Sequence, residues 1–139
     1  MSEVNIVDAS AALAYLQGES GAEVLEEALD QRPSWITTVN YCEVLSKLCE
    51  KGMPPAEARA AVQDLGLEII DLDQDLAVRS AVLRTATMSI GASLGDRACL
   101  ALAERAAESA GVPAVYTAER SWGKLKWQFK IKLVRHGRP

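Results

Sequence analysis

The sequence predicts an α/β domain built on a parallel sheet. Short, mostly apolar and β-branched runs recur at 4–7, 35–37, 67–70, 114–117 and 131–134, and runs of that length and composition read as strands. Helical patterns of about a dozen residues lie between most of them. Strands joined through such helices need right-handed crossovers, which set the strands parallel and cover both faces of the sheet. At 139 residues the chain is expected to form a single domain, 1–139, with room for a real core.

Each element has a local reason. The run at 4–7 is apolar apart from Asn5 and ends at Asp8. Alanines and leucines at helical spacing predict a helix from Ala9 to Leu16, closed by Gln17-Gly18. A second helix is expected over about 21–29, before Pro33 breaks the pattern. Thr38 is the expected cap of a helix reaching about residue 50, with Val44, Leu45 and Leu48 as its apolar stripe. Pro54-Pro55 opens the next helix, since proline is tolerated in a first turn, and Gly66 ends it. Residues 74–86 read as helical, a loop follows through Gly91, and 94–109 form the longest helix. Gly111-Val112-Pro113 turns the chain into 114–117, and a short helical turn is expected at 119–123.

Composition narrows the class. Hydrophobic residues make up 49% and charged residues 24%, which excludes a disordered chain. No apolar run approaches the ~18 residues of a membrane span, and Glu3 stands where a secretory leader would be basic. The expectation is a cytoplasmic protein without membrane contact. Cys42, Cys49 and Cys99 show no Cys-x-x-Cys spacing and are expected as reduced core residues. His136 is the only histidine, which excludes a multi-histidine zinc site. The formal charge of −4 divides unevenly, with seven basic side chains and no acid in 120–139 against −11 over 1–119. An acidic body with a basic terminal strip suits a metal site beside a polyanion track, and equally a solvated tail.

Ligands of open parallel sheets gather beyond the carboxyl ends of the strands. Asp8 follows the first strand directly, and Glu119 comes two residues after Thr117. Glu43 lies less than two turns into the helix that leaves 35–37, and Asp96 in the first turn of its own helix. Singly, each has a structural alternative. Asp8 can cap the helix at Ala9, Ser93 and Asp96 can form a capping box, Glu43 can pair with Lys47, and Glu119 can favour the turn after it. Four carboxylates at one edge would repel by roughly 4 kcal/mol per close pair unless cations occupied the site. An all-oxygen set without histidine or thiolate suits Mg²⁺, or Mn²⁺. Asn40, one turn before Glu43, is a candidate for holding water or substrate, and Ser10 and Thr117 add hydroxyls at strand ends.

Four segments resemble, in order and spacing, the motifs of PIN domains: Val7-Asp8-Ala9-Ser10-Ala11, Thr38-Val39-Asn40-Tyr41-Cys42-Glu43-Val44, Ser93-Leu94-Gly95-Asp96-Arg97-Ala98-Cys99-Leu100-Ala101-Leu102-Ala103 and Thr117-Ala118-Glu119-Arg120-Ser121-Trp122. The nearest likeness is to the VapC toxins of bacterial toxin–antitoxin pairs, and it runs from residue 4 to about 134. The resemblance implies a three-layer α/β/α sandwich on a five-stranded parallel sheet of order 3-2-1-4-5. It implies a Mg²⁺- or Mn²⁺-dependent endoribonuclease restrained by a cognate VapB-like antitoxin, commonly as a homodimer. Asp8, Glu43 and Asp96 would be the metal-binding acids. The fourth family position is usually aspartate and is Glu119 here, one methylene longer; with Asp96 it would anchor a second cation. Hydrolysis by metal-activated water would leave a 5′-phosphate and a 3′-hydroxyl.

Arg97, Arg120, Lys124 and Lys126 are candidate contacts to RNA phosphates, and Trp122 or Trp127 a candidate surface for an unpaired base. A catalytically weak or silent PIN domain that binds RNA or protein is the alternative function. Arg135-His136-Gly137 resembles the motif of histidine phosphatases, but the chain has no second histidine to serve it. A phosphoacceptor signalling domain would need a lysine where Ala118 follows Thr117.

Overall fold

The chain alternates strand and helix as its patterning requires. The computed structural model describes residues 3–109 and 111–134. In chain order these form β1 (Asn5–Val7), α1 (Ala9–Leu16), α2 (Ala22–Gln31), β2 (Ser34–Thr37), α3 (Thr38–Glu50), α4 (Pro55–Gln63), β3 (Glu68–Ile70), α5 (Gln74–Ala86), α6 (Leu94–Ser109), β4 (Ala114–Thr117) and β5 (Lys130–Leu133). Single 3₁₀ turns occupy Met88–Ile90 and Arg120–Lys124. All neighbouring strands pair in parallel, in the order β3-β2-β1-β4-β5, as the resemblance implies. The chain builds outward from β1 through β2 to β3, then crosses back to β4 and β5. The carboxyl ends of β1 and β4 therefore flank the point where the winding reverses, the place where such sheets open a crevice.

Alternation along the strands divides the interior into two cores. Ile6 and Val115 point into one, with Leu76 and Leu83 of α5 and Leu100 and Leu102 of α6. Val7 and Ile36 point into the other, with Leu25, Val44, Leu48 and Val62 from α2, α3 and α4. The sheet lies between them as the middle of three layers. Helix α6 is buried at Gly95 and from Arg97 to Ala103, so nearly its whole first half is interior. That explains its run of alanine and leucine in place of an amphipathic stripe.

Several boundaries move from expectation. Thr37, not Thr38, caps α3: its hydroxyl accepts from the Asn40 amide at 3.0 Å. Thr38 instead accepts from the Leu72 amide at 3.1 Å, tying α3 to the loop after β3. Two adjacent threonines offer the same oxygen, and only the backbone at the strand's end chooses between them. Strand β5 begins a residue early, at Lys130, and β3 omits Leu67. Cys99 is buried, but Cys42 and Cys49 are exposed. The buried stripe of α3 runs through Asn40, Val44 and Leu48, and the two cysteines fall off it. Trp122 is 1% exposed within the core, which removes it as a stacking surface. The basic strip's Arg135 and Arg138, with His136, lie outside the described residues. Among the described residues no helix is long and apolar enough to cross a membrane.

The core predicts a sharp contrast. Leu100→Ala should destabilise the fold by about 2–5 kcal/mol, whereas Val82→Ala, at a side chain 71% exposed, should stay within about 0.5 kcal/mol. Urea denaturation of both variants checks this.

Candidate metal centre

Asp8 is the first residue after β1, and it is only 2% exposed. It occupies the N-cap position of α1, but its side chain makes no capping hydrogen bond, so capping does not account for the carboxylate. Its Oδ2 instead accepts from the Ser10 hydroxyl at 2.5 Å and the Thr117 hydroxyl at 3.0 Å. Both hydroxyls are held in turn by backbone donors: Ala118 N–H to Ser10 Oγ at 2.9 Å and Glu119 N–H to Thr117 Oγ1 at 3.0 Å. Ser10 sits in the first turn of α1 and Thr117 ends β4, so three elements meet on one carboxylate oxygen. Burial, with smaller contributions from the charges of Asp96 and Glu43, pushes the Asp8 carboxyl up to about 7 against the opposing pull of the two hydroxyls.

Glu43 reaches the same edge from α3. Asn40, wholly buried one turn earlier, donates from Nδ2 to Glu43 Oε1 and to the Gly95 carbonyl, each at 3.0 Å. Its Oδ1 accepts from the Thr37 hydroxyl at 2.6 Å. Both amide hydrogens are engaged, one by Glu43 and one by the Gly95 carbonyl, so Asn40 orients Glu43 and joins α3 to α6. Lys47 pairs with Glu50 at 3.6 Å instead of Glu43. Across from Glu43, Gly95 leaves room that no other residue would: a Cβ there would stand 2.5 Å from both Glu43 carboxylate oxygens. Burial, then the Asp96 charge, raises the Glu43 carboxyl above its ordinary value, opposed chiefly by the Asn40 hydrogen bond.

Asp96 follows Gly95 and forms the expected capping box. The Ser93 amide donates to its Oδ2 at 2.9 Å, and its own amide donates to Ser93 Oγ at 3.1 Å. Capping occupies one carboxylate oxygen and leaves the charge, which acts on both Asp8 and Glu43. Buried Cys99, one turn on, feels all three: their charges add to burial in keeping its thiol protonated. Asp8, Glu43 and Asp96 thus lie near enough for their charges to act on one another and on Cys99 of α6.

The other residues that the sequence nominates fall elsewhere once the chain is folded. Glu119 anchors Thr117 through its backbone amide, and its side chain is exposed beside the carboxyl end of β4. Arg97 cannot meet a phosphate as expected. It is buried at 8% exposure, its Nη1 donates to the Ser80 carbonyl at 2.8 Å, and it pins α6 to α5. Arg120 and Lys124 are exposed on the 3₁₀ turn after Glu119. Lys126 lines a cavity of about 430 Å³ with Glu104 and Trp127, some 12 Å along α6 from Asp96 at 1.5 Å per residue. Trp127 stacks on Phe129 at 5.2 Å and donates to the Trp122 carbonyl. The orienting role of Asn40 escapes the sequence reading, although its place one turn before Glu43 is the available signal. Gly95 carries no sequence signal of its own.

The donor set decides which ion fits. Three carboxylates press on one another, two are raised by burial, and none makes an ion pair with a described Lys or Arg side chain. Among the described residues no group of three acidic, histidine or cysteine side chains is placed so that it could hold a metal ion without moving. An open carboxylate set suits a cation that keeps several waters and takes one or two carboxylates, as Mg²⁺ and Mn²⁺ do, and disfavours a closed zinc cage.

A parallel sheet of this order with acids near its switch point defines an α/β domain with an acidic edge at the carboxyl ends of β1 and β4. The family model for the PIN domain matches residues 6–127, and the chain belongs to that family. It is 36% identical over 75 residues to the VapC ribonuclease Mb2780c of Mycobacterium bovis and to the ribonuclease VapC42 of Mycobacterium tuberculosis. That stretch is 52% of this chain and spans 57% of the length of each relative. Its fold is shared with VapBC2 from Rickettsia felis bound to a DNA fragment from their promoter, at a TM-score of 0.69 and 13% identity, covering 94% of this chain and 98% of that one. DNA-bound VapBC from Salmonella typhimurium follows at 0.66 and 17%, covering 96% and 99%. A toxin–antitoxin complex from Klebsiella pneumoniae gives 0.65 and 19%, covering 91% and 99%.

Two outcomes follow from this geometry. Asp8 has a folded pKa of about 7 against 3.8, so the folded state holds its proton more tightly than the unfolded state. Ion-free protein should therefore lose stability as pH rises from about 4 to about 7. Mg²⁺, which needs the ionised form, should raise the melting temperature more at pH 8 than at pH 5, and Asp8→Asn should weaken both trends, leaving the smaller share of raised Glu43. Gly95→Ala should fold with near-native stability, because the group it displaces is the end of a flexible side chain, yet bind Mn²⁺ more weakly by calorimetry.

Proposed function

We propose that this chain is a divalent-metal-dependent endoribonuclease and the toxin of a toxin–antitoxin pair, folded as one domain. The observation that supports this most directly is the buried Asp8 carboxylate, grouped with Glu43 and Asp96 and without a cationic side chain against it. Asp8, Glu43 and Asp96 would hold Mg²⁺ or Mn²⁺. A bound cation supplies Lewis acidity toward a phosphoryl oxygen, lowers the pKa of water, and offsets the acids so that a polyanion can approach. Ser10 and Thr117 keep the Asp8 carboxylate turned into the crevice by bonding one oxygen. Asn40 aims Glu43, Gly95 makes room for it, and the Ser93 amide orients Asp96. Exposed Arg120 and Lys124, just beyond β4, are placed to meet phosphates of the RNA. Glu119 belongs to the rim, where it would act on a second cation or on substrate.

Both mycobacterial relatives are named as VapC ribonucleases, and the similar structures are of toxin–antitoxin complexes, which supports RNA as substrate and a VapB-like antitoxin as partner. A homodimer and a cytoplasmic location belong to the same proposal.

Purified protein incubated with structured RNAs and Mg²⁺ or Mn²⁺ should produce internal cuts, and EDTA should stop them. Asp96→Asn should lower the rate on the order of 100-fold or more, and Glu119→Gln only about tenfold. Cleavage that persists in both EDTA and Asp96→Asn would falsify the metal-dependent reading.

A further inference from the structure

A recess unrelated to the acids lies toward the amino ends of β4 and β5. Asn5, Ala114 and Lys130 are register partners across β1, β4 and β5. Ile6, Val115 and Ile131 pack into the α5–α6 core, so alternation turns Asn5, Ala114, Lys130 and Lys132 to the opposite face. Strands stand about 4.8 Å apart, and small Ala114 leaves a gap between the longer side chains beside it. The end of α2 covers the gap with Ala28 and Gln31, and with Arg32 just past the helix. Two recesses of about 180 and 220 Å³ result, joined through Gln31, Tyr116 and Lys132. Asp8 follows the carboxyl end of β1, and buried Val134 lies beyond Lys132 on this face, so the two sites are separate.

Asn5 gives the recess a demand of its own. The side chain is 1% exposed. Its Nδ2 donates to the Ala28 carbonyl at 3.0 Å and to Ser34 Oγ at 3.2 Å, which spends both amide hydrogens. Its Oδ1 is buried and has no hydrogen-bond partner among the described residues. Buried acceptors without a donor are rare and costly, and Asn5 is part of the lining. The rim supplies positive charge. Neither lysine has an ion pair among the described residues, and Arg32 meets Glu3 at 2.9 Å in an exposed pair, weak enough to open for a stronger anion. Glu27 is the acid on the α2 wall. Half-buried Tyr116 borders both recesses.

We propose that this recess binds a nucleoside monophosphate, with the phosphate on Lys130 and Lys132, the base against Tyr116, and an N–H or O–H of the nucleoside on Asn5 Oδ1. Chloride or sulfate would answer the lysines and leave Oδ1 unpaired, and an apolar ligand would answer neither. An acceptor in the floor, cations at the rim and a ring on the wall together select a ligand that carries an anion, a donor and a flat face. The site stands whether or not the chain cuts RNA.

The test is a calorimetric titration of AMP into the full chain with EDTA present, so that no divalent ion draws the nucleotide to the acids. Ala114→Val fills the floor without changing charge, and Lys130→Gln/Lys132→Gln removes the cations while leaving the floor intact. Each should weaken AMP binding about tenfold. A control that removes equal charge elsewhere, Lys51→Gln/Arg84→Gln, should bind AMP as the native chain does. Ribose 5-phosphate, which lacks the base, and inorganic phosphate should both bind more weakly than AMP. Melting temperatures are recorded for every variant, and the exposed lysine pair decides the outcome if Ala114→Val perturbs the fold. No AMP binding by the native chain, an unchanged affinity in the lysine variant, or an equal loss in the control overturns the site. Inorganic phosphate or ribose 5-phosphate binding as tightly as AMP also overturns it, in favour of a general anion patch.

Discussion

The arrangement depends on one carboxylate kept out of water. Asp8 closes β1 at the switch point, and its Oδ2 takes the hydroxyls of Ser10 and Thr117. Those bonds recruit α1 and β4, and the amides of Ala118 and Glu119 complete them. A carboxylate so buried is costly to ionise, and the hydroxyls only partly relieve that cost. The position therefore stores a demand for positive charge, and no cationic side chain among the described residues answers it.

Glu43 and Asp96 deepen that demand by a different route. They arrive on α3 and α6, helices joined where Asn40 bridges Glu43 to the Gly95 carbonyl. This junction tolerates no side chain at 95 without displacing the Glu43 carboxylate, which fills the space. Asp96 answers two needs at once: one oxygen completes a helix cap while its charge bears on the other two acids. Local folding and the proposed chemistry use the same residue, and neither excludes the other.

Positive charge is sorted by the fold. Arg97, next to an acid in the chain, goes into the α5–α6 seam, whereas Lys130 and Lys132, remote in sequence, flank the strand that carries Thr117. A basic strip that reads as uniform in one dimension divides into one face of the sheet edge and an outward loop.

The strand order followed only from the family resemblance, whereas the class of fold and the span of the longest helix could be read from the residues. They rest on local patterning, on period and on turn chemistry, which neighbouring residues carry among themselves. The three central acids were readable for the same reason, since each stands at the end of a strand or near the start of a helix. What only the tertiary structure decided was direction and company: that Thr37 and not Thr38 caps α3, that Cys42 and Cys49 face out, that Arg97 is buried, and that Asn40 spends its amide on Glu43 and Gly95. Those outcomes hang on a rotation of about 100° per residue around a helix and on contacts across 17 to 55 positions of chain, and a linear pattern records neither.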